Sequence, residues 1–243
     1  MAAPFSLSAR VYDLLYAAAG KDYAAEAGAL HRLIQSRRPG AATLLDVACG
    51  TGAHLAHLRR WYDVAGVDVE PAMLAEARRR LPGVALVEGD MCSFRLDRRV
   101  DAVVCLFSAV GYMPSTADLD AAIATMAEHL APGGVLVVDG WIRSDAWHDP
   151  GTVHVLSAHD GPLAVARVGV SSRDGRRTRL EMHHLVGTLT GVEHVVEHHD
   201  LTLFTDEDYR SAFRAAGLDV DVVASPHPDR DRYVGFAPGG SGA

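Results

Sequence analysis

The sequence predicts an α/β protein: a doubly wound parallel sheet with an antiparallel insertion after its fifth strand. Three observations lead there. Apolar strand-like runs alternate with helix-period segments through the first 140 residues, the pattern of repeated strand–helix–strand units. Leu44 to Gly52, reading Leu-Leu-Asp-Val-Ala-Cys-Gly-Thr-Gly, is an apolar run that meets an acid and breaks into a loop of small residues. A buried parallel strand entering a ligand-binding turn reads this way, because glycine lets backbone approach a ligand where a Cβ would clash. From Thr152 to Phe204, short alternating runs are punctuated by Asp160-Gly161-Pro162, Asp174-Gly175 and Thr190-Gly191, turn signals at hairpin spacing.

The elements follow in order. A helical portion from about Ser8 to Arg37 precedes the first strand, Thr43 to Val47. Helix from Ala53 leads to the second strand, Val64 to Val67, and Pro71 opens the next helix, where its missing N–H costs nothing. The third strand, Val84 to Val87, runs into Gly89-Asp90-Met91. The fourth, Val100 to Leu106, is nearly all apolar, as a strand covered on both faces should be. A helix from Ala117 to Leu130 stops at Pro132-Gly133-Gly134, before the fifth strand, Val135 to Asp139. Beyond the insertion, Thr205 to Asp208 reads as a capped helix start. That helix ends at Gly217, and strands Leu218 to Val223 and Tyr233 to Phe236 follow. The low-complexity tail, Pro238 to Ala243, is expected to be disordered. The expected division is a helical lid over residues 1–40, a cofactor-binding α/β domain over 41–142 and 205–237, and a substrate-side insertion over 143–204.

Asp68 ends the second apolar run sixteen residues after Gly52, the place for a carboxylate that grips ribose hydroxyls. Two strand-end acids, Asp46 and Asp68, around a turn of Ala48, Gly50 and Gly52 indicate an adenosine-bearing cofactor. A dinucleotide fingerprint would place another glycine three residues beyond Gly52, but Ala53-His54-Leu55 has none. Asp46, ahead of the turn, would repel a pyrophosphate and welcome a cationic amino-acid moiety. S-adenosylmethionine, a sulfonium without phosphate, fits both points. The alternatives are a helix-entry turn that binds nothing and a nicotinamide-dependent oxidoreductase, which the missing glycine opposes.

The bulk numbers fit a globular chain. It has 243 residues, 49% hydrophobic and 22% charged, enough for a substantial core. A net charge of −8 argues against nucleic acid as partner. Lys21 is the only lysine, so nearly all positive charge is guanidinium, the better fork for diphosphate or carboxylate. Three scattered cysteines, Cys49, Cys92 and Cys105, read as core residues in a reducing compartment. No segment approaches the roughly 18 apolar residues of a membrane span. A cytoplasmic protein is expected.

Longer strings carry a family resemblance. They are Val11 to Tyr16, Gly20 to Glu26, Leu44 to Gly52, Gly89-Asp90-Met91, Leu106 to Tyr112, Pro132 to Gly134, Ala166 to Ser171, Thr178 to His183 and Leu201 to Phe204. Together they resemble class I S-adenosylmethionine-dependent methyltransferases, which have a Rossmann-like sheet. They look most like the branch that dimethylates the 3-amino group of dTDP-linked deoxyamino sugars in macrolide biosynthesis. Departures fall at Asp139-Gly140-Trp141 (usually Glu-Pro-Trp), at Ser108-Ala109 (usually Ser-Ser) and at Arg230 to Gly235 (usually Arg-Gly-Leu-Phe-Val-Gly). Each sits on an expected substrate wall.

The resemblance implies roles. Ala48 and Gly50 would lie against the cofactor's methionine portion, and Asp68 would hold its ribose. Asp90 and Met91 would flank the adenine, Leu106 would close the floor, and Tyr23 would reach the carboxylate. For Tyr23, helix packing is an equal alternative. Tyr16 and Tyr112 would stand near the transferred methyl, with Tyr112 accepting a proton or orienting the amine. Trp141, Arg167, Ser171, Arg179, Glu181 and Arg230 would contact the acceptor, the arginines gripping its diphosphate unless they form a solvated face. His194-Val-Val-Glu197-His198 imitates a zinc-protease pattern, but valines and hairpin signals place it on a strand, so no metal is expected. The expected partner is a small molecule, a dTDP-amino sugar. The acceptor could instead be another amine or a hydroxyl, or the protein a non-catalytic S-adenosylmethionine binder. Monomer and homodimer both stay open.

Overall fold

A computed structural model describes residues 8–225 and 229–236. Helices α1 (Ala9–Ala18) and α2 (Tyr23–Arg37) precede β1 (Thr43–Val47), α3 (Ala53–Leu58), β2 (Asp63–Asp68), α4 (Pro71–Arg80), β3 (Ala85–Glu88) and β4 (Val100–Cys105). A 3-10 turn (Ala109–Tyr112), α5 (Thr116–Glu128) and β5 (Leu130–Ile142) follow. The insertion is β6 (Val153–Asp160), β7 (Leu163–Asp174), β8 (Arg177–Thr188) and β9 (Gly191–Thr202). Helix α6 (Asp206–Ala215), β10 (Asp219–Ala224) and β11 (Arg230–Phe236) complete the described residues.

Seven strands form one sheet in the order β3-β2-β1-β4-β5-β11-β10. All neighbours are parallel except the two pairs that β11 makes, with β5 and with β10. Reversal of order at β1 and β4 opens a crevice at the carboxyl ends of these strands, where ligands bind in such sheets. β6 to β9 form a separate antiparallel meander. This is a Rossmann-like, doubly wound α/β fold with an antiparallel excursion after the fifth strand, as the periodicity predicts.

Local chemistry accounts for the boundaries. The N-terminal helical portion divides in two, because Gly20 takes a left-handed φ of +86° and Asp22 caps α2 by accepting from the Ala25 amide at 2.8 Å. Ser115 caps α5, and Thr205 with Asp208 closes a reciprocal capping box on α6. β5 begins at Leu130, five residues earlier than the sequence suggests: Leu130 pairs with Val100 and Pro132-Gly133-Gly134 is absorbed as an irregularity. The tail from Pro238 lies outside the described residues.

Apolar clusters line both faces of the large sheet. Val103, Cys105, Leu136 and Val138 face α5 and α6, while Leu44, Val104, Val135 and Val137 join the α2–α4 side. A third cluster decides the position of the site. Val11 and Leu15 of α1 pack on Val165 and Val186 of the meander, so α1 is held between the insertion and the large sheet.

Candidate active site

The turn after β1 and the acid ending β2 are joined directly. Asp68 Oδ2 accepts from the Gly50 amide at 2.7 Å, and Oδ1 accepts from the Glu70 amide at 2.8 Å. Each oxygen retains a lone pair that a hydroxyl could use. Ala48 turns the chain at a φ of +59°. Beneath the turn Asp46 is only 2% exposed, and its Oδ1 has no hydrogen-bond partner among the described residues. Burial, and the charges of Asp68 and Asp139, push its carboxyl well above the usual range.

A cavity of about 1040 Å³ opens over this turn. That is at the upper end of, or beyond, the roughly 300–1,000 Å³ of a single ligand pocket, so two ligands fit. On the side of the large sheet, Ala48, Gly50, Asp68, Asp90, Met91 and Leu106 form the wall. Tyr16, Tyr112, Trp141, Arg167, Ser171 and Arg230 line the remainder. Arg167 is 5% exposed, its guanidinium 5.2 Å from the centre of the Tyr16 ring, and its Nε has no hydrogen-bond partner among the described residues. Trp141 is fixed by Nε1 donating to Thr178 Oγ1 at 3.2 Å, with the Arg230 guanidinium 4.7 Å above its ring.

Five residues expected at the site do not line this cavity. Tyr23 packs edge-on against His54 and donates to Asp13 Oδ1 at 3.3 Å, the packing alternative. Asp46 lies behind the turn. Gly52 starts α3 at a φ of +73°, and a Cβ there would stand 2.7 Å from Leu81 Cδ1, so packing against α4 demands glycine. Arg179 and Glu181 lie on the outer face of the meander. Arg179 pairs there with Asp200 at 2.7 and 2.9 Å, and Glu181 with His183 and His198. The His194–His198 string is on strand β9, and no cluster among the described residues could hold a metal ion.

Other residues take part that the motifs did not flag. Asp13 of α1 accepts from Thr51 Oγ1 at 2.9 Å and pairs with Arg80, whose Nη1 donates to the Thr51 carbonyl at 2.6 Å. This clamp ties α1 to the glycine turn and to α4. Lys21 and Glu26 also line the cavity. Glu26 pairs with Lys21 and with His54, each at 2.8 Å. Burial alone would raise its carboxyl, but these two partners hold it down to about 2. The Lys21 ammonium stands 3.9 Å from the centre of the Phe107 ring.

The three family departures meet in space. Asp139 is held by Arg232 at 2.6 and 3.2 Å and accepts from the Phe107 amide at 3.0 Å. Ser108 Oγ donates to the Gly140 carbonyl at 2.7 Å and accepts from Arg230 Nη1 at 3.0 Å. Phe107 and Ser108 both hold left-handed φ, +54° and +66°, a strained dipeptide that this network fixes.

The cavity's chemistry selects its ligand. Asp46 and Glu70 each keep a buried oxygen without a partner among the described residues, so a hydrogen-bond donor is favoured near the turn and a pyrophosphate, which only accepts, is opposed. S-adenosylmethionine meets that demand.

A methyltransferase domain model matches residues 44–134. A dTDP-3-amino-3,4,6-trideoxy-alpha-D-glucopyranose N,N-dimethyltransferase of Streptomyces venezuelae is 46% identical over 229 residues, covering 93% of this chain and 96% of its own. The chain belongs to the dTDP-amino-deoxysugar N,N-dimethyltransferases. They are S-adenosylmethionine-dependent methyltransferases, and S-adenosylmethionine is the cofactor. A second family member, the dTDP-3-amino-3,6-dideoxy-alpha-D-glucopyranose N,N-dimethyltransferase of Streptomyces fradiae, is 44% identical, covering 96% of this chain and 92% of its own. The crystal structure of DesVI from Streptomyces venezuelae overlays with a TM-score of 0.90 at 45% identity, covering 95% of this chain and 98% of that one. S-adenosylmethionine is bound in the structure of CalS10, an amino pentose methyltransferase from Micromonospora echinaspora involved in calicheamicin biosynthesis (TM-score 0.84, 42% identity, 94% and 97% covered). Since the DesVI overlay spans nearly both chains, the antiparallel meander is part of the family fold.

Proposed function

We propose that this protein methylates the amino group of a dTDP-linked deoxyamino sugar. Arg167 carries the proposal. A guanidinium 5% exposed, with an unpartnered Nε and no carboxylate paired to it among the described residues, is costly to bury alone. A diphosphate entering the cavity would satisfy it, with Arg230 as the second fork. The substrates named for the two Streptomyces relatives, both dTDP-3-amino sugars, support the same reading.

S-adenosylmethionine supplies, when bound, an electrophilic methyl on a cationic sulfur. Asp68 holds the ribose, Asp90 and Met91 flank the adenine, and Ala48, Gly50 and Leu106 shape the surrounding wall. Helices α1 and α2 serve as a lid. Tyr16 and Tyr112 orient the acceptor amine, while Trp141 and Ser171 shape its pocket. Deprotonating an amine whose pKa lies one unit above ambient pH costs about 1.4 kcal/mol. Alignment is worth roughly 7–11 kcal/mol, so positioning dominates the rate.

Steady-state kinetics on a dTDP-3-amino-deoxysugar test the assignment. Arg167→Ala should raise KM at least tenfold and leave kcat within about threefold, because the diphosphate is gripped alike in ground and transition states. An unchanged KM would remove Arg167 from the substrate.

The outer face of the meander exposes Val153, Val155, Val168, Val170 and Leu185, an apolar patch of the kind that marks an interface, and we assign it to a homodimer. Light scattering should give twice the chain mass, and Val155→Asp should give the monomer. A monomeric wild type would refute the dimer. The three cysteines are free, which fits the reducing cytoplasm.

A further inference from the structure

Behind Tyr112 the cavity wall carries a buried imidazole and a buried carboxylate in series. The Tyr112 hydroxyl lies 2.9 Å from His199 Nδ1, and His199 Nε2 lies 3.8 Å from Glu197 Oε2. His199 and Glu197 are two residues apart on β9 and so share a face. Both are buried, at 0% and 6% exposure. Their strand neighbours Glu193, His194 and His198 are exposed, so this pair is not part of the outer histidine surface.

We propose that Tyr112, His199 and Glu197 form a relay that removes a proton from the acceptor's ammonium group and stores it on His199. The inference rests on the amino-sugar reading above. Carbohydrate amines reach an enzyme largely protonated, and an ammonium has no lone pair with which to attack a methyl. In the relay an N–H bond of the ammonium breaks and its electron pair stays on nitrogen. The proton bonds to Tyr112 Oη as the original phenolic proton passes to His199 Nδ1. The products are a neutral amine, an unchanged phenol and an imidazolium facing Glu197, so charge and protons balance. The imidazolium returns its proton to water between turnovers.

The surroundings favour each state the relay needs. Glu197 Oε1 accepts from the Ser8 amide at 3.0 Å. Burial would raise the Glu197 carboxyl, but His199 and Ser8 hold it down to about 2, leaving a standing anion for the imidazolium. Burial, reinforced by Tyr16, Glu197 and Asp68, keeps the Tyr112 phenol protonated, so it passes a proton on instead of holding a charge. His184 on β8 is itself held neutral, its pKa lowered to about 4 by burial. The other ionisable groups around this centre are Arg167 across from His184 on β7, Tyr12 and Tyr16 on α1, Asp68 at the end of β2, and Glu70 capping α4. Arg167 is the only cation among these, and it sits nearest to the diphosphate assigned above. In the complex its charge is matched there.

The relay makes a distinctive kinetic prediction. With His199 present, the deprotonated acceptor with imidazolium holds as many protons as the ammonium with neutral imidazole, so this state adds a pH-independent share of turnover while the complex holds that one proton, and kcat falls less steeply below the amine's own pKa. In His199→Asn, Oδ1 still accepts from Tyr112 but cannot take a proton. Its kcat should fall about tenfold for each pH unit below the amine pKa, recover in alkaline buffer, and leave KM within about threefold. Tyr112→Phe should show the same slope. A second readout needs no ligand: 15N-histidine NMR of the wild type should find the His199 proton on Nε2 and a bare, hydrogen-bonded Nδ1, the latter signature lost in Tyr112→Phe. A level kcat profile in a folded His199→Asn enzyme, or a wild-type proton on Nδ1, overturns the relay. If His199→Asn does not fold, the wild-type tautomer decides. Absence of turnover by wild-type enzyme on any amino-sugar nucleotide would instead refute the acceptor assignment.

Discussion

The Asp68 carboxylate binds the Gly50 amide at 2.7 Å, so the ribose-side acid and the glycine turn move as one unit. Asp68 therefore has two duties, bracing the turn and presenting lone pairs to the cofactor. Its other oxygen is committed to the Glu70 amide, and both partners are donors.

That geometry makes Asp68→Asn nearly as harmful as Asp68→Ala. An asparagine has one acceptor oxygen, and its NH2 would face one of two backbone N–H groups. Each variant should lose S-adenosylmethionine affinity by more than an order of magnitude, in line with roughly 1.5–3 kcal/mol for hydrogen bonds to charged groups. Calorimetry showing wild-type affinity in Asp68→Asn would contradict this double role.

Gly52 is expected to matter for stability. Gly52→Ala combines a left-handed φ of +73° with a Cβ 2.7 Å from Leu81 Cδ1 and 3.3 Å from Ala77 Cβ. Strain and overpacking of this kind cost about 1–3 kcal/mol each. Urea unfolding should show a lower midpoint with an unchanged slope. An unaltered midpoint would mean that the α3–α4 contact yields freely.

Glu26 should make the lid acid-sensitive. Its folded pKa, about 2, lies below the ordinary value of 4.5. A depressed carboxylate contributes stability that is complete above the unfolded pKa and lost as pH falls through the folded one. Between pH 4.5 and about 2, wild-type stability should therefore fall more steeply than that of Glu26→Gln, which is already weaker at neutral pH. Parallel acid-unfolding curves would show that the Lys21–Glu26–His54 cluster contributes nothing.

Much of this was legible in the sequence because its signals are local. The meander's hairpins turn at Gly161-Pro162, Gly175-Arg176 and Leu189-Thr190, on or beside the turn signals read from the sequence. Ala48, Gly50, Asp68 and Asp90 sit where parallel strands end, a place that chain order alone identifies. The clamp of Asp13, Thr51 and Arg80 joins residues 29 to 67 positions apart, which no short motif reports. Arg179 and Glu181 were misplaced although the signal existed. Leu180 and Met182 alternate with them, so the period of two turns both charged residues away from the buried face. No short motif flags His199, because its role depends on Tyr112, 87 positions away.

The most direct test of the acceptor is mass spectrometry of the products when wild-type enzyme meets S-adenosylmethionine and a dTDP-3-amino-deoxysugar. The expected result is a sugar nucleotide carrying one and then two methyl groups on its nitrogen, with the dTDP intact. A sugar nucleotide recovered unmodified, together with methylation of a nucleotide-free amine or alcohol by the same enzyme, would contradict it.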